Sequence, residues 1–297
     1  MRVVRIVAPL LLAGLVVPAF APVSAPAAPA APAAPVPTLV GVRAAHHPGF
    51  NRVVFDFEGG LPSDRRVRYV DELVGDASGL PVRIAGRAVL QVRLSPANAH
   101  DQDGSTAPAR RAFALPNVMT AVRSGDFEAV TTYGIGLAKR THVDVFTLRR
   151  PSRVVVDIRA AFRTVDRKVY LFDEKRYLAN KEPFFTPRWR PVRPHTPATG
   201  VMDRLFAGPL KAERATGLRL LRSRATGFAD LAVDDGVARV RLTGRCSSGG
   251  STVTVAGEIM PTLRRLGPVD WVKIYDPDGD TERPMGRTDS IPECLEP

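Results

Sequence analysis

Two cysteines, Cys246 and Cys294, are the only thiols in this chain of 297 residues. A thiol at the start of a helix can act as a nucleophile, and Cys246 lies shortly before a predicted helix. The N-terminal segment, however, has the features of an export signal, and an even number of cysteines in an exported chain favours a disulfide. We therefore predict a disulfide between Cys246 and Cys294 that holds the C-terminal tail against its domain.

The sequence DPDGD, residues 276–280, could bind a metal ion. Asp276, Asp278 and Asp280 alternate in it, as the first ligands of a calcium loop do. That loop also needs glycine at its sixth position and a bidentate glutamate at its twelfth. Here the glycine is at the fourth position and Arg287 is at the twelfth, so a β-turn is the favoured prediction and calcium the alternative.

The other motifs that could do chemistry are incomplete. His100, Asp101 and Asp103 could bind a metal ion only weakly, because they lie in a loop of turn residues. The G-x-G within TYGIGL, residues 132–137, lies in a predicted strand with no helix after it, which argues against a phosphate-binding loop. No HExxH, GxSxG or SxxK sequence occurs. The sequence predicts a non-enzymatic protein without catalytic residues, metal ions or cofactors.

The N-terminal segment predicts export. Residues 1–21 combine a positively charged start, an apolar run and a small-x-small cleavage pattern, which are the three parts of a signal peptide. The apolar run is too short for a comfortable membrane span. Residues 22–37 are an Ala/Pro-rich spacer, for which extended polyproline II structure is expected. We predict an extracellular or cell-wall location, with a membrane tether as the alternative if the signal is not cleaved.

The charge of the chain is positive and evenly distributed. It contains 42 Lys and Arg against 30 Asp and Glu, a net charge of +12. Residues 38–162 carry 17 basic and 12 acidic residues, and residues 163–297 carry 23 and 18. Nucleic-acid-binding proteins usually concentrate their basic residues in a tail or on one helix face. The even distribution argues against nucleic acid as a partner and fits an anionic polymer or anionic lipid.

Residues 38–162 contain alternating apolar segments that turn sequences separate, a pattern typical of an antiparallel sandwich or barrel. No long segment with the period of a helix interrupts them. The predicted strands are 39–45, 51–58, 67–74, 88–95, 127–137, 142–149 and 153–158.

The pattern Arg-Val-Val-x-Asp occurs twice, at residues 52–56 and 153–157. An Arg and an Asp four positions apart on one strand are separated by roughly 13 Å and cannot pair with each other. If the two copies lie side by side and antiparallel, Arg52 faces Asp157 and Arg153 faces Asp56. The alternative is that half-buried strands of an arginine-rich chain have this pattern without pairing.

Three stretches of this region resemble the actinobacterial AMIN-like domain, which is related to a module of cell-wall amidases. They are GVRAAHHPGFNRVVFDFEG, AVLQVRLSPANAHD and GDFEAVTTYGIGLAKRTHVDVFTLRRPSRVVVDI. The resemblance implies a small β-sandwich that binds or targets the cell envelope and carries no catalysis. Tyr133 and Arg140, near GIGL, are our candidates for ligand binding, although Tyr133 is expected to be core or half-buried.

Residues 163–297 predict a mixture of helices and strands. A strand is expected at 167–173, a strand and turn at 269–279, and a hairpin with an Asp-Asp-Gly turn at 228–244. Helices are expected at 252–266 and within 196–218, where Gly208-Pro209 should end or bend the helix. The stretches KVYLFD, LFAGPLKAERATGL, DDGVARVRLTG and GPVDWVKIYDPDG resemble the GerMN domain of a bacterial sporulation and germination protein. That resemblance implies an α/β module for assembly or binding in the envelope.

The sequence thus predicts a multi-domain protein: an all-β AMIN-like sandwich at 38–162, followed by an α/β (α+β) GerMN domain at 163–297. The two resemblances imply an envelope protein that binds peptidoglycan or an associated anionic polymer. The alternative is an assembly module that associates with itself or with a membrane partner through residues 163–297.

Overall fold

The computed structural model describes residues 35–297 of the chain. Strands account for 46% of the structure and helices for 13%, in agreement with the predicted strand-rich fold. The predicted signal peptide (1–21) and the part of the predicted spacer before residue 35 lie outside the described residues, and both stay predictions. We call residues 35–162 the first half and residues 163–297 the second half.

The first half consists of strands. They are β1 (Thr38–His47), β2 (Phe50–Glu58), β3 (Asp64–Val70), β4 (Ala88–Ser95), β5 (His100–Asp101), β6 (Gly104–Ser105), β7 (Arg110–Ala112), β8 (Val118–Phe127), β9 (Val130–Leu137), β10 (Val143–Arg149) and β11 (Ser152–Arg159). One antiparallel sheet has the order β1-β2-β11-β10 and the other has the order β3-β4-β9-β8-β7. The inward side chains of both sheets, such as Phe55, Leu90, Ile135 and Val156, form one apolar core. The predicted sandwich is therefore observed.

The two Arg-Val-Val-x-Asp copies lie on the neighbouring strands β2 and β11, in the predicted antiparallel register. Arg52 and Asp157 form the expected ion pair through two hydrogen bonds, each 2.7 Å long. The second expected pair does not form, although Arg153 lies opposite Asp56. Asp56 instead accepts two hydrogen bonds from Arg43 on β1, at 2.8 and 3.0 Å. β2 lies between β1 and β11, whereas the prediction from the sequence took only β11 into account.

The predicted strand 127–137 is wrong in one respect, because the structure divides it into the end of β8 and the whole of β9. The turn between them consists of Glu128 and Ala129, with φ angles of 49° and 55°. A two-residue hairpin of this kind normally contains Asn or Gly, so residues 128 and 129 carry no turn signal. The earlier part of β8, which begins at Val118, was also missed, although Val118 itself is fully buried.

The second half combines helices with two three-stranded sheets. Its elements are β12 (Val165–Asp173), α1 (Glu174–Leu178), β13 (Phe185–Val192), α2 (Pro197–Ala207), α3 (Lys211–Ala215), β14 (Leu218–Arg219), β15 (Ala225–Asp234), β16 (Val237–Gly244), α4 (Ala256–Arg264), β17 (Trp271–Tyr275) and a 3-10 helix (Glu293–Leu295). The sheets have the orders β13-β12-β14 and β15-β16-β17, and β17 is parallel to β16. The helices α2 and α4 pack on a core of their own with these sheets.

Local sequence signals explain most element ends in the second half. The turn between β15 and β16 uses Asp235 and Gly236, both with positive φ, as the Asp-Asp-Gly sequence predicts. Helix α2 begins with Pro197 and ends at Gly208, whose φ is 86°. Helix α4 is shorter than the predicted helix 252–266 and contains Pro261.

The predicted disulfide between Cys246 and Cys294 is present, with the two Cα atoms 5.7 Å apart. It joins the segment before α4 to the 3-10 helix at the C-terminus, and the backbone N–H of Ser248 donates to the carbonyl of Cys294 at 2.6 Å. Both sulfur-bearing residues pack against the core of the second half. The bridge therefore fixes the C-terminal tail to that core.

The two halves form one compact unit, and Arg204 on α2 is the centre of their contact. Its side chain is 1% exposed and enters the loop between β7 and β8. Nη1 donates to the carbonyls of Phe113 and Val118, at 3.1 and 3.2 Å. Nη2 donates to the carbonyls of Leu115 and Pro116. One side chain of the second half thus satisfies four backbone acceptors of the first half.

Removal of the Arg204 guanidinium should destabilise the chain as a whole. We expect Arg204→Met to lower the free energy of unfolding by about 3 kcal/mol or more, because four carbonyls, two of them fully buried, lose a donor. Chemical denaturation measures the change, and hydrogen exchange should become faster around residues 113–118. Arg214→Met, at an exposed position on α3, is the matched control and should cost less than about 0.5 kcal/mol. Equal stability of the two variants would contradict this role of Arg204.

Loss of the disulfide should also lower stability. The two cysteines are 48 positions apart, and for a loop of this size the chain-entropy model gives about 4 kcal/mol. We expect Cys246→Ser/Cys294→Ser to melt at a lower temperature, at the same value as the reduced wild-type chain. The first half should remain folded below the transition, since its core contains no cysteine. Two free thiols in the exported protein by mass spectrometry would refute the assignment.

Candidate functional site

The GIGL sequence on β9 is covered by the chain segment that connects β3 to β4. A Cβ atom at Gly134 would lie 2.5 Å from the Leu73 side chain, and one at Gly136 would overlap the carbonyl oxygen of Ala85. The N–H of Arg87 donates to the backbone of the same strand at 2.7 Å. The glycines therefore let the segment lie directly on the sheet. This close contact is the physical reason for the G-x-G pattern, and it fixes the position of the residues around Ala85.

A pocket of about 160 Å³ lies at the junction of the two halves. The segment around Ala85 forms one wall, and the start of β7, helix α2 and the start of β15 form the others. Four of the twelve lining residues are arginines, namely Arg83, Arg87, Arg110 and Arg222. Asp203 is the single acidic residue among them. The pocket therefore has a large excess of positive charge.

Arg87 is neutralised by Asp203, which lies beside Arg204 on α2. Nε and Nη2 of Arg87 donate to the two carboxylate oxygens at 2.9 and 2.8 Å, in a bidentate pair. The guanidinium of Arg87 also lies over the ring of Phe228, 5.0 Å from its centroid. That ring stacks on Phe206 at 5.9 Å. The pair closes one side of the pocket and joins the two halves a second time.

The other three arginines have no acidic partner in the pocket, since both oxygens of Asp203 are occupied. Nη2 of Arg110 donates to the backbone carbonyl of Arg83, and Nη2 of Arg222 donates to the carbonyl of Phe206 at 3.2 Å. Among residues 35–297, no ion pair is formed by any of the three. Their remaining N–H groups are donors without a counter-charge.

The positive charges of these arginines affect one another's pKa. Burial, followed by repulsion from Arg222 and Arg83, lowers the pKa of Arg110 to about 10. Burial and repulsion from Arg83 also lower the pKa of Arg222, whereas the nearby Glu258 opposes the shift. With a pKa of about 10, Arg110 remains protonated at neutral pH. An anion in the pocket would relieve this repulsion, so the arrangement is suited to anion binding.

Glu258 on α4 does not provide the missing counter-charge. Its two carboxylate oxygens accept the backbone N–H groups of Phe172 and Leu221 at 3.0 and 2.9 Å. The side chain is fully buried, and burial raises its pKa well above the usual value despite these hydrogen bonds. Glu258 therefore serves to connect α4 to the neighbouring backbone.

The two ligand-binding candidates from the sequence lie outside this pocket. Tyr133 is 0% exposed, and its hydroxyl donates to the carbonyl of Pro108 at 2.8 Å. Burial raises the pKa of this hydroxyl to about 12. Its ring packs edge-on against Phe55, so no ring face is open to a ligand and its place is in the core. The guanidinium of Arg140 lies over the ring of Tyr69, 4.6 Å from its centroid.

The alternatives that involve metal ions are not supported by the geometry. Oδ1 of Asp276 accepts the backbone N–H groups of residues 278–280, at 2.8 to 3.0 Å, which is the favoured turn and not a calcium loop. His100 pairs with Asp126 at 2.8 Å and not with Asp101 or Asp103. Within residues 35–297, no group of three or more His, Cys, Asp and Glu side chains is arranged to hold a metal ion.

Sequence reasoning missed the pocket because its arginines come from distant parts of the chain. Arg83, Arg110 and Arg222 lie in three different segments, and none belongs to a local motif. One signal was present in VMDRLFAG, where Asp203 and Arg204 interrupt an apolar helix. Charged residues in such a helix need partners if they are buried. That signal predicts a contact at this helix but not the identity of the partners.

Comparison with known proteins supports the assignment of the first half. The AMIN-like domain family matches residues 37–160. The comparisons with curated proteins and with solved structures found no match to this chain. In the described part of the chain, no helix has the length and apolar character needed to cross a membrane. The chain therefore contains an AMIN-like domain at residues 37–160, within two residues of the predicted limits.

Proposed function

We propose that this chain is a non-enzymatic protein of the cell envelope that binds peptidoglycan or an anionic polymer attached to it. The observation that carries the proposal is the AMIN-like domain at residues 37–160, because such domains are associated with peptidoglycan binding or targeting. The disulfide also fits a location outside the cytoplasm. In this proposal the N-terminal signal exports the chain, and the folded part then binds the wall.

The charge of the folded part supports an anionic target. Each half carries five more basic than acidic residues, and three guanidinium groups converge in the junction pocket without an acidic partner. Peptidoglycan and its attached polymers carry carboxylates and phosphates. Long-range attraction by the whole surface would bring the chain to the wall, and the pocket would add a specific contact.

A second candidate function is assembly through residues 163–297, for which a GerMN domain is proposed. Exposed apolar side chains in that half favour it: Leu178 is 78% exposed and Trp189 is 61% exposed. Large exposed apolar residues are common at sites of protein association. Sedimentation of the chain over a range of concentrations separates this function from wall binding, because only assembly predicts oligomers in solution.

Co-sedimentation of the mature full chain with purified wall sacculi tests the proposed function. The full chain is needed because Arg204 of the second half completes the backbone hydrogen bonds of the first. We expect pelleting at low ionic strength and reduced pelleting at high ionic strength, since charge interactions are screened beyond about 10 Å at 0.1 M salt. Binding through the pocket should persist to higher ionic strength than binding by surface charge.

Two results would decide against this function. Absence of pelleting at both ionic strengths would remove the wall-binding proposal and leave assembly as the better account. Pelleting that Arg93→Gln reduces as much as Arg110→Gln would show general charge attraction without a specific site, since Arg93 is exposed on β4 outside the pocket.

A further inference from the structure

The junction pocket is suited to a more specific ligand than anionic polymer in general. Arg110 and Arg222 reach it from opposite halves of the chain, and Arg83 belongs to the segment that lies on the GIGL glycines. The cavity of about 160 Å³ is large enough for a small anionic group with the atoms that connect it to a polymer. Arginines from three segments therefore line one limited volume.

We propose that this pocket binds a phosphate group of a wall polymer, held by the guanidinium groups of Arg83, Arg110 and Arg222. The inference rests on the function proposed above and names the chemical class of its ligand. A carboxylate has two oxygens in one plane, and a single arginine can donate to both of them, as Arg87 donates to Asp203 here. A phosphate presents its oxygens in several directions and so can accept from several guanidinium groups at once.

The energetics of the pocket arginines favour such a ligand. Partly buried cations without a counter-charge are costly, and Arg110 and Arg222 each lose water while they repel their neighbours. The fixed pair of Arg87 and Asp203 cannot supply the counter-charge, because both carboxylate oxygens are in use. A bound phosphate would offset the repulsion and connect the two halves through a third contact. Ligand binding is thus expected to stabilise the whole chain.

Titration calorimetry of the full chain with inorganic phosphate, at constant ionic strength, is the first test. We expect Arg110→Gln and Arg222→Gln each to weaken binding by about tenfold or more, which corresponds to about 1.4 kcal/mol. The control Arg93→Gln removes the same charge outside the pocket and should change the affinity by less than about twofold. If a glutamine variant does not fold, Arg110→Lys keeps the charge without the planar fork and should still weaken binding.

Equal losses in all three glutamine variants would overturn the pocket as the site. Acetate that binds as tightly as phosphate would overturn the choice of phosphate over carboxylate. Both outcomes concern the pocket alone and leave wall binding by other surfaces intact.

Co-sedimentation then distinguishes the possible sources of phosphate. It also tests the phosphate ligand separately from the proposed wall binding. We expect the chain to pellet with intact sacculi and less with sacculi from which hydrofluoric acid has removed phosphodiester-linked polymers. Equal pelleting with both would refute the phosphate ligand while wall binding stands. Phosphate binding without pelleting on either wall would refute the proposed function, although the pocket binds phosphate. Preferential binding to phosphatidylglycerol vesicles over walls would contradict the polymer as the source.

Discussion

The burial of Arg204 is the interaction on which the arrangement of this molecule depends. A guanidinium that is 1% exposed is costly unless its donors are paired. Nη1 and Nη2 of Arg204 donate to four backbone carbonyls between residues 113 and 118, whereas its buried Nε has no partner within residues 35–297. Burial lowers the pKa of Arg204 to about 9, so it is still charged at neutral pH. The second half therefore supplies hydrogen-bond donors to backbone carbonyls of the first half, and the two halves are held as one unit.

The same helix places the pocket. Asp203 precedes Arg204 and binds Arg87, while Phe206 follows one turn later and stacks on Phe228. These contacts hold β15 and the segment between β3 and β4 at the two sides of the cavity. The glycines of β9 complete the arrangement, because a side chain at Gly136 would push Ala85 and its neighbouring arginines away from the sheet. A structural junction thus brings together cations that no single domain contains.

The sequence predicted the parts of the fold that local patterns determine. The alternation in the two Arg-Val-Val-x-Asp segments gave the register of β2 and β11 and the pair of Arg52 with Asp157. The Asp-Asp-Gly turn and the helix limits at Pro197 and Gly208 also follow from local rules. The turn at Glu128 could not be predicted, because tertiary contacts override the local preference of its residues. The partner of Asp56 could not be predicted either, because Arg43 on a third strand competes for it.

The functional site was less predictable than the fold. Tyr133 lies on β9, and its side chain faces the core. The alternation of a strand could not decide this, because a period of two does not say which face is open. Arg83 and Arg110 are 27 positions apart, and Arg222 is more than a hundred positions from both, so no local motif encodes their meeting in the pocket. The disulfide could be predicted because the chain contains only two cysteines.

Hydrogen–deuterium exchange of the full chain, in phosphate and in chloride at equal ionic strength, tests the central claim most directly. The account predicts slower exchange in phosphate at residues 83–87, 110–112 and 222–228, which come from both halves and border the pocket. Exchange in β10, at the edge of the other sheet, should be unchanged. Equal exchange in both salts, or slowing confined to one half, would contradict a phosphate site at the junction.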